Sequence, residues 1–133
     1  MSGLDGNTLT LLGAGPTGAL LATLLARRGY SVEVYERQPD LRTHTDQGGR
    51  SINLALASRG LRGLALAGLT EAVAPLLTPM SGRMLHQEDG ELEFQPYGQH
   101  EGEENYSVSR ADLNRVLLDA AESAGARLHF GEA

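Results

Sequence analysis

The 133-residue chain carries 11 basic and 17 acidic side chains, a net charge of −6, and 41% of its residues are hydrophobic. Every basic residue is Arg, and an acidic chain without a basic stripe is a poor match for the phosphates of nucleic acid. The absence of Cys excludes disulfides, thiolate metal sites and Cys nucleophiles, while the length suits one domain with a real apolar core.

Residues 1–5 lack the basic stretch of a signal peptide. The apolar run 9–26 is cut by Gly13, Gly15, Pro16 and Gly18 into pieces too short to cross a bilayer core of about 30 Å, so a soluble, cytoplasmic protein is expected. Residues 8–12 (TLTLL) suit a buried parallel strand, residues 13–18 break it, and residues 19–28 form a helix ended by Gly29. Residues 31–35 (SVEVY) return to β-type side chains, which completes a βαβ unit. The polar stretch 37–50, with Pro39, Gly48 and Gly49, reads as a loop, and 52–56 as a short strand. Ser58 is placed to cap a helix through Ala67, stopped by Gly68, and Thr70 to cap a shorter one disturbed by Pro75.

Asp89-Gly90 marks a β-hairpin within 83–97. A two-residue turn would put Arg83 and Tyr97 on opposite faces. A loop of residues 88–90, with Gly90 left-handed, puts them on one face and gathers Met84, Leu92 and Phe94 on the other, and this register separates apolar from polar. Ser109 followed by Asp112 is a shortened capping box. Leu113, Val116, Leu117, Ala120 and Ala121 then mark one face of a helix ending at Gly125, and 127–130 return to the parallel sheet.

Gly13-Ala14-Gly15-Pro16-Thr17-Gly18 fits G-x-G-x-x-G, a string that alone signals only a turn. Here it follows a strand, opens a helix and precedes Glu36 at the end of the next strand, which is the context of a dinucleotide site. Gly13 makes the tight turn, Gly15 lets a diphosphate approach the backbone, and Gly18 lets the helix pack on the strand. The helix start offers free N–H groups and a positive dipole end. The Glu36 carboxylate can accept both hydrogen bonds of a ribose diol and repels a 2′-phosphate, so NADP at this site is disfavoured while FAD and NAD both remain open. A purely structural βα turn is the alternative. Arg37 is either a solvated charge or a contact to the adenosine half.

These residues resemble the FAD site of flavin monooxygenases of the aromatic-hydroxylase type. More specific are Gly49-Arg50-Ser51-Ile52-Asn53-Leu54-Ala55-Leu56-Ala57-Ser58-Arg59-Gly60, Pro79-Met80, Arg83-Met84, Pro96-Tyr97-Gly98 and Ser107-Val108-Ser109-Arg110, which resemble the kynurenine 3-monooxygenase family. The resemblance implies an α/β fold: a Rossmann-like parallel sheet with a βαβ FAD-binding unit and an inserted antiparallel hairpin. Its expected division is 1–79 for the FAD-binding unit and following helices, 80–106 for the hairpin of the substrate region, and 107–133 for the helix and strand returning to the sheet. It further implies hydroxylation of L-kynurenine to 3-hydroxykynurenine with FAD as cofactor, NADPH as co-substrate and O2 as oxidant.

Carried over position by position, Thr17, Glu36, Arg37, Ala55 and Arg110 are expected at FAD, beside Gly13, Gly15 and Gly18 of the glycine motif, and Arg83 and Tyr97 at the substrate carboxylate. A guanidinium forks onto a carboxylate with two hydrogen bonds, and a phenol adds a third donor. Members of the family are several times longer, so the resemblance implies an N-terminal portion that lacks further flavin and substrate contacts, binds FAD weakly alone and does not turn over. Two other readings remain: a related hydroxylase acting on another carboxylate, and a non-catalytic dinucleotide-binding module. His44, His86, His100 and His129 are too far apart in sequence to pair on a metal through one helical turn, and Glu101, Glu103 and Glu104 read as a solvated loop.

Overall fold

The computed structural model describes residues 7–43, 52–100 and 103–133. Residues 1–5, His44, the loop beyond Thr43, Gly49, Arg50, Ser51, Glu101 and Gly102 lie outside the described residues. The first half of the chain forms β1 (Thr8–Leu12), α1 (Pro16–Arg27), β2 (Ser31–Glu36), β3 (Asn53–Leu56), α2 (Ser58–Leu66) and α3 (Thr70–Val73), the last followed by a 3-10 turn (Ala74–Leu76). The second half forms β4 (Thr78–Met80), β5 (Gly82–His86), β6 (Leu92–Pro96), β7 (Asn105–Ser109), α4 (Arg110–Ser123) and β8 (Arg127–Phe130).

β1, β2 and β8 make a parallel sheet in the order β1-β2-β8, with Leu12 opposite Tyr35 and Glu36 opposite Phe130. Side chains alternate along β2. Val32 and Val34 enter one apolar cluster with Ala19 and Ala22 of α1 and Leu117, Leu118 and Ala121 of α4. Glu33 and Tyr35 take the other side, where Tyr35 stacks on His129 at 4.6 Å and Glu33 holds His129 at 2.6 Å and also pairs with Arg127. β1 was expected to be buried on both faces. Instead Leu12 is 86% exposed, because helices cover only one face of this sheet among the described residues.

A second sheet was not anticipated: β7 pairs antiparallel with β3 on one side and β4 on the other. β4 is three residues long and contains Pro79, a residue confined to sheet edges because it cannot donate to a ladder. In β7 only Val108 is buried, so no hydrophobic alternation announces it. The hairpin adopts the register that joins Arg83 and Tyr97: Arg83 lies opposite Gln95, the Tyr97 amide donates to the Ser81 carbonyl, and Gly90 has φ +87°. Met84, Leu92 and Phe94 share its other face and are more than half exposed.

Helix ends also differ from expectation. α1 begins at Pro16 rather than Ala19, since Pro at the first helical position forfeits no intrahelical hydrogen bond, and Gly29 ends it with φ +89°. Ser58 and Thr70 are the first residues of α2 and α3, not their caps; Ala57 and Leu69 precede them without a side-chain cap. Ser109 does cap α4, its Oγ accepting from the Asp112 amide at 3.3 Å. The buried stripe of α4 is Leu113, Asn114, Leu117, Leu118 and Ala121, with Val116 and Ala120 only partly covered. α4 packs on α1 as well as on β7 and β8, which widens and turns the covered face. Arg42 ties the segment after β2 to the far end of α4, pairing with Asp40 (2.7 Å), Asp119 (2.9 Å) and Glu122 (2.5 Å).

The seat of α1 on its turn depends on Gly18, where an added Cβ would lie 2.0 Å from the Gly13 carbonyl oxygen. Backbone cannot yield as a side-chain tip can, so Gly18→Ala is expected to destabilise the fold by about 1–3 kcal/mol. Urea unfolding reads this as a lowered midpoint; an unchanged midpoint would contradict it.

Candidate functional site

Because Leu12 pairs with Tyr35, Gly13 just past β1 and Glu36 at the end of β2 lie side by side at the carboxyl edge of the sheet. The Gly13 amide continues the ladder onto the Tyr35 carbonyl at 2.8 Å, and its φ of +101° turns the chain sharply away from the strand. The chain then enters α1 through Gly15, whose carbonyl accepts the first helical bond from Ala19 at 2.9 Å. The amides of Thr17 and Gly18 precede that bond and have no helical acceptor. No acidic side chain occupies the first turn of α1.

An open cleft of about 440 Å³ lies over this turn, lined by Gly13, Gly15, Pro16, Thr17, Gly18 and Arg110 together with three leucines. A Cβ added at Gly15 would meet only the Arg110 guanidinium at 3.9 Å, so the protein's own packing does not demand a glycine there. What the glycine does is leave bare backbone on the cleft wall. Arg110 makes no ion pair among the described residues and so brings a free cation to the same wall.

Glu36 is held from two sides: Oε2 accepts from the Ala14 amide and Oε1 from the Gln38 amide, both at 2.8 Å. Each carboxylate oxygen keeps a further lone pair for an incoming hydroxyl. Burial pushes the Glu36 carboxyl up, but the Ala14 and Gln38 amides and the neighbouring Arg37 charge outweigh it and hold it below the ordinary glutamate value. Arg37 itself is exposed.

The remaining expected residues lie elsewhere. Ala55 is exposed on β3 opposite Ser107 and lines neither this cleft nor a second one of about 420 Å³. Tyr97 lines that second cleft with Ser58, Leu61, Gly98, Glu104 and Tyr106, whereas Arg83 does not, although the two share a hairpin face.

Sequence reasoning missed two residues. Gln95, directly across the hairpin from Arg83, accepts from its Nε at 2.6 Å, and the register already in hand could have found it. Asn114 on α4 donates to the Ala14 carbonyl at 3.1 Å from a buried position, and no sequence signal marks it.

A bare glycine backbone, helix-start amides without a helical acceptor, an Arg with no ion pair among the described residues and a carboxylate with spare lone pairs together suit a diphosphate and its adjoining ribose. The FAD binding domain family matches residues 7–133. The chain belongs to this family. FAD is therefore the cofactor, which decides between the two dinucleotides that the Glu36 charge left open. The chain is 51% identical over 98% of its length to a protein named kynurenine 3-monooxygenase from Xanthomonas euvesicatoria pv. vesicatoria (strain 85-10). It is 47% identical, again over 98%, to one of that name from Myxococcus xanthus (strain DK1622). It spans 29% and 28% of the length of these relatives.

Among solved structures, a flavoprotein/dehydrogenase from Cytophaga hutchinsonii shares the fold at a TM-score of 0.70 and 22% identity, covering 94% of this chain and 30% of that one. A myxobacterial FAD-dependent chondrochloren halogenase matches at 0.71 and 26%, covering 93% and 28%. No helix among the described residues is long and apolar enough to cross a membrane.

The lowered Glu36 pKa has a signed consequence. Its contribution to stability is complete above the unfolded value of about 4.5 and is lost as pH falls through the lower folded value. Carboxyl-carbon NMR is expected to show Glu36 titrating below 4.5, and Glu36→Gln to flatten the acid limb of the stability profile. A midpoint at or above 4.5 would contradict the two-amide clamp.

Proposed function

We propose that the chain is the FAD- and substrate-contacting part of a flavin monooxygenase that converts L-kynurenine to 3-hydroxykynurenine with NADPH and O2, and that it works in the cytoplasm. What carries the reading is the 51% identity, across nearly the whole chain, to a relative named for that reaction. Bound FAD supplies the electron transfer and oxygen chemistry that no side chain here can supply.

The protein's own part is binding and orientation. Beyond the turn that Gly13 makes, the backbone amides of Gly15, Thr17 and Gly18 take the diphosphate, Glu36 the ribose diol, and Arg37 the adenosine side. Ala55 and Arg110 serve the flavin half. On the hairpin, Arg83 forks onto the substrate carboxylate and Tyr97 adds a phenol donor. Gln95 occupies the Arg83 Nε and so leaves both terminal nitrogens for the ligand. In this division residues 80–106 belong to the substrate side, and 1–79 with 107–133 to the flavin side. A second reading, a hydroxylase of another aromatic acid, is favoured by one feature: an Arg–Tyr pair selects a carboxylate rather than a particular ring.

The full-length polypeptide is expected to oxidise NADPH in response to kynurenine with stoichiometric 3-hydroxykynurenine; absence of that product sinks the first reading. Arg83→Ala should mostly weaken kynurenine binding, by about 2–5 kcal/mol if the bound substrate buries the charge pair, and leave flavin content intact. Glu36→Ala should lower flavin occupancy first, and equal flavin loss in both variants would refute the division. The 133 residues alone are expected to bind FAD weakly and not turn over, so tight flavin retention in equilibrium dialysis would count against that expectation.

A further inference from the structure

Asn114 is more than nine-tenths buried in an otherwise apolar stripe of α4, and among the described residues its Oδ1 has no hydrogen-bond partner. An unpaired polar atom in the interior is a cost that a leucine at this position would not carry. The other end of the amide is engaged: Nδ2 donates to the Ala14 carbonyl, 100 residues away in sequence, at 3.1 Å. Ala14 is itself 3% exposed, and its own amide donates to Glu36 Oε2 at 2.8 Å. The residue is thus clamped on both sides, by the Glu36 carboxylate through N–H and by Asn114 through C=O.

The second clamp bears on the next peptide. No peptide bond among the described residues is cis, and in a planar trans unit the Ala14 carbonyl and the Gly15 N–H point in opposite directions. With the carbonyl drawn into the interior by Asn114, the Gly15 N–H points away from Asn114, and Gly15 itself lines the cleft. Glycine on one side of this peptide makes its reversal sterically easy, so something must choose between the two orientations. We infer that Asn114 is a positioning residue for the cofactor's diphosphate, holding the Ala14–Gly15 peptide so that it offers N–H rather than C=O to the anion. The inference deepens the FAD reading and rests on the glycine turn being the diphosphate cradle.

The test uses the full-length apoprotein titrated with ADP and with adenosine, which share a nucleoside and differ in the diphosphate. Asn114→Leu removes both the donor and the orphan oxygen, and Asn114→Asp keeps the shape while losing the amide donor. Melting temperatures establish which variants are folded. The expected result is an ADP affinity at least tenfold lower in the folded variants, with adenosine affinity within twofold of wild type.

Parallel weakening of both ligands, or ADP binding within twofold of wild type, would overturn the inference. A wild-type protein holding ADP no better than adenosine would overturn the cradle itself, and the inference with it. A measurement on wild type needs no variant to fold. NMR should show Asn114 side-chain amide protons protected from exchange and scalar-coupled across the hydrogen bond to the Ala14 carbonyl carbon. Rapid exchange at those protons would overturn the inference.

Discussion

The parallel pairing of β1 with β2 is the constraint from which the site follows. A register that sets Leu12 against Tyr35 delivers the glycine turn and the acidic residue to the same sheet edge. Slippage by one residue would send every side chain of β2 to the other face, taking Val32 and Val34 out of the core and Glu36 away from Ala14. Core packing and the Glu36–Ala14 hydrogen bond therefore select the same alignment. The alternation that buries two valines also aims the carboxylate.

The sequence reveals those parts of the fold that depend on local chemistry. Gly13, Gly15 and Gly18 have separate reasons for lacking a side chain, and two of the three are visible as a positive φ and as a close backbone approach. The hairpin register followed from sorting polar from apolar faces around Gly90, a choice that needs no tertiary information. The strand at β3 was legible, but its antiparallel sheet with β7 and β4 was obscure because β7 is polar and β4 is three residues long and interrupted by Pro79. Their pairing is decided by what lies beside them in space, not by their own pattern.

Asn114 shows the same limit at the level of one residue. A polar side chain at the margin of an apolar stripe reads as the start of the solvent face, and only the arrival of the glycine turn at that spot explains it. Ser58 and Thr70 erred in the opposite direction. Their residue type suits a cap, yet each helix begins with them rather than after them. Ser109, which has Asp112 three residues on, did cap as read. Propensity alone misled where a reciprocal pattern did not.

One helix gathers more of this architecture than its place late in the chain suggests. α4 carries Arg110 on the cleft wall, Asn114 behind the glycine turn, and Asp119 and Glu122 on Arg42, which anchors the segment that follows Glu36. A helix of 14 residues behaves as a stiff rod, so these three attachments share one mechanical degree of freedom. A sideways slip of the rod would disturb the cleft wall, the glycine turn and the segment after Glu36 in the same movement. In the proposed role, the grip on FAD is accordingly closer to a latch than to a set of independent fingers.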